Sequence, residues 1–428
     1  MELVESCLGR IEALEADLKA WVTVDRRGAL EAARLAEMEI RRGRPRSPLH
    51  GIPVGVKDIF YTAGLRTTAG SRVYADLVPE YDAAAVARLK AAGAIILGKT
   101  VTTEFACYDP PPTRNPWDPS RTPGGSSSGS AVAVAARMCP LALGSQTAGS
   151  VLRPALYNGV VGLKPTYGRI SVFGVIPVSF TLDTLGTFSR TVEDAALLLN
   201  VLAGRDPRDP YSSDRTVPDY RQALEAPPQP LRLGLVRQFF FQKASKEVSE
   251  HTEEVAGRLT QAGAQVEEVA LPIDFQDIYP VHRTIMIAEL AAWHRDLYHQ
   301  HREQYAPGLA ELVEAGLKVG AVEYLKALER LRIFRERMAA LAAPWDVLLT
   351  PGTPAPAPDT STTGDPAFQT PWTAAGLPSI CLPTGLSAGG LPLGVQLVAS
   401  PFAEARLLAA ARWCEKVVGA ALTPPGLA

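Results

Sequence analysis

Residues 124–150 read GGSSSGSAVAVAARMCPLALGSQTAGS, and the fold is best inferred outward from this stretch. A Gly/Ser loop opens it, an apolar run follows, and a second Gly/Ser turn closes it. Ala-rich sequence without Gly or Pro predicts a helix over 130–138, and the apolar residues 141–143 are typical of a buried strand. A loop, helix, strand and turn in this order would bring Ser126 and Ser150 back together. Small neighbours at both serines let the backbone bend sharply and approach a ligand.

The rest of the chain alternates helical and strand patterns. Its 428 residues are 46% hydrophobic, which is enough for a sizeable core. We therefore predict an α/β fold in one large domain, with a mixed, mostly parallel twisted sheet covered by helices on both faces. The single domain 1–428 would comprise N-terminal helices over 1–45, a core over about 51–200 and a C-terminal part over 231–428.

Bulk composition excludes several classes of protein. The net charge of −2 argues against a nucleic acid or a membrane surface held by charge. No apolar run approaches the roughly 18 residues of a membrane span, and Glu2 and Glu5 precede any apolar stretch, unlike a secretory leader. Five scattered cysteines without a CxxC pair indicate neither a disulfide framework nor a zinc site. We expect a cytoplasmic protein with no cofactor and no metal.

Lys57 ends an apolar, Gly-containing strand pattern over 51–57. Most lysines are solvated, and a lysine on a buried strand is costly unless it is paired or neutral. Burial lowers the pKa of a lysine, and a neutral lysine can act as a base. Lys57 is therefore a candidate catalytic residue.

Two familiar motifs match by letters and fail on physical grounds. Residues 93–100 (GAIILGKT) fit the phosphate-loop pattern, but AIIL favours a strand over 94–97 where that motif needs loop backbone. We expect a helix to follow residues 98–100. Residues 125–129 (GSSSG) fit the nucleophile elbow with Ser127 at its centre. That elbow requires a preceding strand, and the six prolines of 109–123 exclude one.

Histidines offer no obvious site. His294, His299 and His301 share one helical stretch, but their spacing does not place them on one face as metal ligands. We expect them to be solvated helix residues. The other histidines, His50, His251 and His282, neighbour no nucleophile in sequence.

The strand ending in Lys57, the Gly-Gly-Ser loop and the later Gly-Ser turn together strongly resemble the amidase signature family. The resemblance runs over most of the chain and is colinear. It comprises PLHGIPVGVKD at 48–58, GKT at 98–100 with Glu104 and Phe105, GGSS at 124–127, AGS at 148–150, GVVGLKP at 159–165, TVED at 191–194, LLTP at 348–351 and GLPLGVQ at 390–396.

This resemblance implies amide hydrolysis by a Ser–Ser–Lys triad. Carried over by position, Ser150 is the nucleophile, Ser126 the bridging serine and Lys57 the base. The resemblance also implies a cis peptide bond between Gly125 and Ser126. The backbone N–H groups of the turn Thr147, Ala148, Gly149 and Ser150 would form the oxyanion hole.

Four positions depart from the family pattern. Gln146 stands where the family often has Asp, Ala148 and Ser128 replace frequent glycines, and Arg153 lies one residue later than in many members. None belongs to the triad. Ser127, Gln146 and Arg153 are expected to support the site. The departures indicate a subgroup of the family that differs in how its loops are supported and how its substrate is bound.

Three functions remain open at this point. The first is an amidase that forms an acyl-enzyme on Ser150. The second is the glutaminase subunit of a tRNA-dependent amidotransferase, and the third is an inactive amidase-like binding scaffold. The expected partner is a small-molecule amide, with neither nucleic acid nor membrane, and a homodimer is left open. Loops 107–123, 173–183 and 352–372 are predicted to form the pocket wall.

Overall fold

The computed structural model describes residues 1–427, so only the last residue of the expected domain lies outside the described residues. The helices are α1 (Glu2–Leu18), α2 (Arg26–Arg41), α3 (Ala84–Ala91), α4 (Ser128–Ala135), α5 (Leu152–Asn158), α6 (Val192–Leu202), α7 (Tyr220–Ala223), α8 (Phe240–Lys243), α9 (Lys246–Gln261), α10 (Ile278–His301), α11 (Pro307–Gly316), α12 (Ala321–Ala342), α13 (Thr370–Ala374) and α14 (Glu404–Val418). The strands are β1 (Trp21–Val24), β2 (Pro53–Lys57), β3 (Ile95–Thr100), β4 (Leu141–Gln146), β5 (Val161–Lys164), β6 (Thr184–Ser189), β7 (Arg232–Leu235), β8 (Gln265–Glu268), β9 (Val347–Pro351), β10 (Ser379–Leu386) and β11 (Pro392–Val398).

Within the described residues, the strands form one sheet in the order β1-β3-β2-β4-β6-β5-β10-β11-β9-β7-β8. The α/β fold and the mixed sheet are therefore confirmed. Parallel pairing is confined to two blocks, β3-β2-β4 and β9-β7-β8. The strands between them pair antiparallel, so the parallel share is smaller than the helix–strand alternation predicts. β10 and β11 form a hairpin, which needs no helical crossover.

Helices cover both faces of the sheet, as predicted. In β3, Ile95 and Leu97 pack into the core beneath α1, α2 and α4, whereas Ile96 packs into the larger core on the opposite face. Leu141 and Leu143 of β4 alternate with Ala142 in the same way. Successive side chains of a strand point to opposite faces, so apolar residues at every position indicate a strand buried on both sides.

The prediction of a helix after residues 98–100 is wrong. The chain continues as strand β3 through Thr100 instead of entering a helix after residues 98–100, and only a short 3-10 helix, Glu104–Ala106, follows. β3 pairs with β1 on one side and with β2 on the other, and this pairing extends it. Because the GKT letters lie inside a paired strand, their N–H groups do not form a phosphate cradle.

Candidate active site

Sheet topology places the lysine and the second Gly/Ser turn at one edge. β2 and β4 are parallel neighbours, with Val56 opposite Leu143, so their carboxyl ends meet there. Lys57 is the last residue of β2, and the turn that carries Ser150 follows directly after β4. The Gly/Ser loop before α4 brings Ser126 to the same point.

Lys57 is fully buried and contacts two hydroxyl groups. Its Nζ lies 2.7 Å from Ser126 Oγ and 2.8 Å from Ser145 Oγ. Burial lowers the pKa of Lys57 to about 7, and the negative charge of Asp183 opposes that shift only in part. The ammonium and the neutral amine are therefore both accessible near neutral pH.

Two other buried lysines, Lys99 and Lys164, also have lowered pKa values but differ from Lys57 in their hydrogen-bond partners. Burial also lowers the pKa of Lys99 to about 8 and that of Lys164 to about 7. Lys164 Nζ donates to two carbonyl oxygens, of Pro165 and Leu377, which cannot give up a proton. Lys99 donates to a carbonyl oxygen and a threonine hydroxyl and lies 3.4 Å from the Asp58 carboxylate. Of these three lysines, Lys57 alone contacts a residue of the cavity that holds Ser150.

Ser126 and Ser150 line one cavity of about 40 Å³. Ser126 is 3% exposed, and Ser150 is half-buried. Across residues 1–427, Ser150 Oγ takes part in no hydrogen bond, so its hydroxyl is free to meet a ligand in the cavity. The structure thus gathers Lys57, Ser126 and Ser150 at one site, with Ser126 between the amine and the cavity.

The predicted pocket loops each contribute to the walls of this cavity. Cys107 and Tyr108 come from the first loop, Val178 from the second, and Thr363 and Pro366 from the third. Sequence reasoning missed the apolar wall formed by α10 and α11. Its members, Met286, Leu290 and Leu312, follow ordinary helical spacing and carry no separate signal in the sequence.

The peptide bond between Gly125 and Ser126 is cis, as the resemblance implied. Arg153 supports this loop, because its Nη2 donates to Gly125 O at 2.8 Å and to Thr363 Oγ1 at 3.2 Å. Ser128 Oγ donates to Gly124 O at 2.6 Å. Two of the residues that depart from the family pattern therefore hold the backbone around Ser126.

Gln146 fixes the turn that carries Ser150. Its Oε1 accepts from the N–H groups of Val151 and Leu152 at 2.8 and 3.0 Å, which satisfies the N-terminus of α5. Its Nε2 donates to Thr373 Oγ1 at 2.9 Å, and that hydroxyl donates to Ala148 O at 2.7 Å. A glutamine supplies both a donor and an acceptor here, whereas an aspartate supplies only acceptors.

The other side of the turn is held at Thr147. Its hydroxyl donates to Asp183 Oδ1 at 2.5 Å, and its carbonyl accepts from His282 Nε2 at 2.8 Å. Burial raises the pKa of Asp183 to about 6 and lowers the pKa of His282. Over residues 1–427, no backbone N–H of 147–150 donates a hydrogen bond within the protein. These donors are available for an oxyanion.

Ser145, Asp183 and His282 were missed from the sequence as parts of this site. Ser145 lies just beyond the strand pattern at 141–143, within the observed strand β4, and Asp183 is the last residue of a loop already assigned to the pocket wall. His282 is 135 positions from Thr147, and nothing in the sequence signals that contact.

Ser127 lies behind the site. Its hydroxyl donates to Ser145 O at 3.3 Å and accepts from Ser145 N at 3.4 Å, both at the long end of the range for hydrogen bonds. This contact joins the loop before α4 to strand β4.

The expectation that His294 is solvated is wrong. It is fully buried in α10, where its Nδ1 lies 2.9 Å from the Tyr305 hydroxyl and its ring packs edge-on against Phe105. α10 crosses the protein interior and therefore buries polar side chains that a surface helix would expose. His299 is exposed.

Comparisons with known proteins identify the family and the fold. The profile of the Amidase family matches residues 2–408. A glutamyl-tRNA(Gln) amidotransferase subunit from Carboxydothermus hydrogenoformans is 39% identical over 97% of this chain and 93% of its own length. The native peptide amidase of Stenotrophomonas maltophilia is 33% identical, with a TM-score of 0.86 over 99% of this chain and 94% of its own. A third similar structure, from work on an unexpected vestigial protein complex and the origins of an s-triazine catabolic enzyme, is 31% identical, with a TM-score of 0.92 over 98% and 96%.

The fold and the site define a hydrolase that acts on the carbon–nitrogen bonds of amides. This chain belongs to the amidase signature family. No helix among residues 1–427 is both long and apolar enough to cross a membrane.

Proposed function

We propose that this chain hydrolyses a carboxylic amide to an acid and ammonia or an amine through an acyl-enzyme on Ser150. One observation carries the proposal: a buried lysine with a pKa of about 7 contacts Ser126, which shares a cavity with Ser150. A serine hydroxyl is a weak nucleophile until a base removes its proton. An amine that is about half neutral near pH 7 would supply that base through the hydroxyl of Ser126.

In the acylation step, Ser150 Oγ gives its proton to Ser126 Oγ, which passes its own proton to Lys57 Nζ. The Ser150 oxygen then forms a bond to the amide carbon, and the carbonyl oxygen becomes an oxyanion. The N–H groups of 147–150, which donate no hydrogen bond among residues 1–427, would stabilise that charge. When the carbon–nitrogen bond breaks, the same relay returns the proton to the departing nitrogen.

Deacylation runs the relay again with water. Water gives a proton through Ser126 to Lys57 as its oxygen bonds to the acyl carbon. The bond to Ser150 then breaks, and Lys57 returns that proton through Ser126 to the Ser150 oxygen. The enzyme returns to its starting state with one water consumed and one acid released.

The first experiment is labelling with a fluorophosphonate, which reacts with activated serines. We expect one label at Ser150, and loss of both the label and amide turnover in Ser150→Ala. Undiminished amide hydrolysis by Ser150→Ala would overturn the proposal. Any turnover by the wild type also removes the inactive-scaffold alternative.

The second candidate is a glutaminase subunit of a tRNA-dependent amidotransferase. The observation that favours it is the 39% identity to a relative whose name describes one component of a glutamyl-tRNA(Gln) amidotransferase. The two candidates share the chemistry and differ in substrate and partner. Turnover of glutamine that appears only when a partner protein is added would favour the second, whereas turnover of simple amides by the isolated chain favours the first.

A further inference from the structure

A second cavity touches the hydrogen-bond network of Lys57 at Ser145. It has a volume of about 440 Å³, and its walls are mostly apolar, with a few polar groups that include Ser145 and Asp183. The apolar residues are Val172, Phe173, Val175, Pro177, Phe180 and Leu185. Phe180 and Tyr211 are exposed, so the cavity opens to solvent. Binding sites for small molecules have this volume and this mixture of apolar walls and few polar groups.

A short stretch of chain separates this second cavity from the first cavity, which holds Ser150. Val178 lines the first cavity, whereas its neighbours Pro177 and Ser179 line the second one. The Asp183 carboxylate fixes this stretch, because its Oδ2 accepts from the N–H groups of Val178 and Ser179 at 2.8 and 3.1 Å. The two cavities are therefore distinct spaces that can hold different molecules.

The second cavity contains an unused donor and an unused acceptor. Ser145 Oγ accepts from Lys57 Nζ at 2.8 Å, and among residues 1–427 its own O–H group donates no hydrogen bond. Asp183 Oδ1 accepts one hydrogen bond, from the Thr147 hydroxyl, and a carboxylate oxygen can accept two. Asp183 is negatively charged above its pKa of about 6. A ligand at this end of the cavity therefore needs both an acceptor and a donor, and no negative charge.

The register of the sheet sets the spacing of these two groups. Ser145 of β4 pairs with Leu185 of β6, and Asp183 lies two residues before Leu185, with all three lining the cavity. Diagonal neighbours of this kind are roughly 7 to 8 Å apart, which leaves room for one small polar group between the side chains. A carboxamide is such a group, since its carbonyl oxygen accepts and its N–H donates.

We propose that the second cavity binds a neutral carboxamide with a short aromatic or aliphatic body. Its carbonyl oxygen accepts from the Ser145 hydroxyl, its N–H donates to the Asp183 carboxylate, and its body packs against the apolar walls. The occupant is bound and not cleaved, because residues 177–179 separate it from Ser150. Since Ser145 also contacts Lys57, an occupant acts on the partner of the proposed base from outside the first cavity. The binding itself does not depend on hydrolysis.

The test measures the binding of three probes of one shape to the Ser150→Ala protein, which lacks the proposed nucleophile and so spares the probe. Phenylacetamide carries both polar atoms, benzyl methyl ketone lacks the N–H donor, and phenylacetate replaces that donor with a negative charge. Calorimetric titration at pH 8 gives the dissociation constants. We expect a Kd of about 1 mM or lower for phenylacetamide. The other two should bind at least about 10-fold more weakly, since each loses a hydrogen bond to a charged group.

Variants in the Ser150→Ala protein test whether the probe occupies the second cavity. Phe180→Ala removes part of an apolar wall and should weaken phenylacetamide about 10-fold, and Ser145→Ala should weaken it about 5- to 10-fold. Phe241→Ala is the matched control, because Phe241 is a half-buried phenylalanine outside both cavities, and the affinity should not change. The first cavity, at about 40 Å³, holds roughly three water-sized groups and is too small for a phenyl ring.

Three outcomes would overturn the inference. They are no saturable binding of phenylacetamide up to about 10 mM, equal affinities for the three probes, and an affinity that neither Phe180→Ala nor Ser145→Ala weakens. If one of these variants does not fold, the three probes on the Ser150→Ala protein decide alone. Failure of the proposed function is distinguishable, because it would abolish turnover and labelling of Ser150 while leaving the binding of phenylacetamide in place.

Discussion

At the scale of single residues, the pKa of Lys57 lies in the pH range in which the proposed reaction would run. The protonation state of Lys57 should therefore govern the rate. Burial favours the neutral amine, so the pKa is low, at about 7. The base must be neutral before it accepts a proton, so acid should switch off the relay.

We predict that kcat/KM for a neutral amide rises with pH and is half-maximal near pH 7. Below that value it should fall about tenfold per pH unit. The fall should steepen below about pH 6, where Asp183 gains a proton and its contact with Thr147 weakens. Initial rates between pH 5 and pH 9 measure this profile, and a flat profile across pH 6 to 8 would contradict the role of Lys57.

A second prediction compares Ser126, the proposed bridging serine, with its neighbour Ser127, which contacts only the backbone of Ser145. Ser126→Ala removes the hydroxyl between Lys57 and the cavity, so kcat should fall about 1,000-fold or more. Ser127→Ala removes only two long contacts to the backbone of Ser145 and should cost far less. Steady-state kinetics on both variants provide the comparison, and equal losses would show that the loop, rather than the relay, had been damaged.

At the scale of secondary-structure elements, helix α4 depends on a close approach to its neighbours. A Cβ at Gly129 would lie 2.2 Å from Ala20 O and 2.4 Å from Val101 N, both of which are backbone atoms. Backbone atoms cannot move aside to relieve such a contact, whereas the end of a flexible side chain can. The glycines of the quoted stretch therefore serve helix packing as well as loop bending.

We predict that Gly129→Ala lowers the free energy of unfolding by about 3 kcal/mol or more, as for a severely overpacked site. Gly257→Ala is the control. Gly257 lies inside helix α9, and a Cβ there meets nothing within 4 Å. That change should stabilise the protein by about 0.5–1 kcal/mol, because alanine is the better helix former. Urea denaturation measures both, and a neutral Gly129→Ala would contradict the packing argument.

An element can be predicted from the sequence when the interactions that define it are local. The helix predicted over 130–138 and observed at 128–135, the strand ending in Lys57 and the Gly/Ser turn follow from composition and small residues, which act over a few positions. The support of the turn comes from Thr373 and His282, which lie 227 and 135 positions from the residues that they contact. Short-range patterns carry no information about such contacts.

The same reasoning explains why strand β3 runs longer than predicted. Gly98 at the end of a short apolar run indicates a turn by local propensity. In the folded chain, β1 and β2 pair with both edges of β3 and extend it through Thr100. Tertiary pairing overrides local propensity, especially at the ends of elements.

At the scale of the whole molecule, burial of α10 makes stability depend on acid. Burial lowers the pKa of His294 to about 3. Between its ordinary pKa and that value, the unfolded state binds a proton that the folded state does not, so stability falls as the pH falls. One pKa unit corresponds to about 1.4 kcal/mol.

We therefore predict that His294→Phe weakens the loss of stability between pH 7 and pH 4 by up to about 3 kcal/mol. Urea midpoints at the two pH values, for the wild type and the variant, provide the measurement. Exposed His299→Phe is the control and should leave the pH dependence of the wild type in place. An identical dependence in wild type and His294→Phe would show that other groups govern acid unfolding.

The walls of the cavity have a further consequence. Lys57, Ser126 and Ser150 come from the first half of the chain, whereas Met286, Leu290, Leu312, Thr363 and Pro366 come from the second half. The catalytic candidates are thus all encoded in the first half of the chain, whereas both halves contribute to the walls of the cavity. A chimaera that joins residues 1–200 to the corresponding second half of a homologue would keep the three catalytic candidates and exchange only the part of the wall that α10, α11 and residues 363 and 366 form. New preferences can then arise by recombination without rebuilding the proton relay.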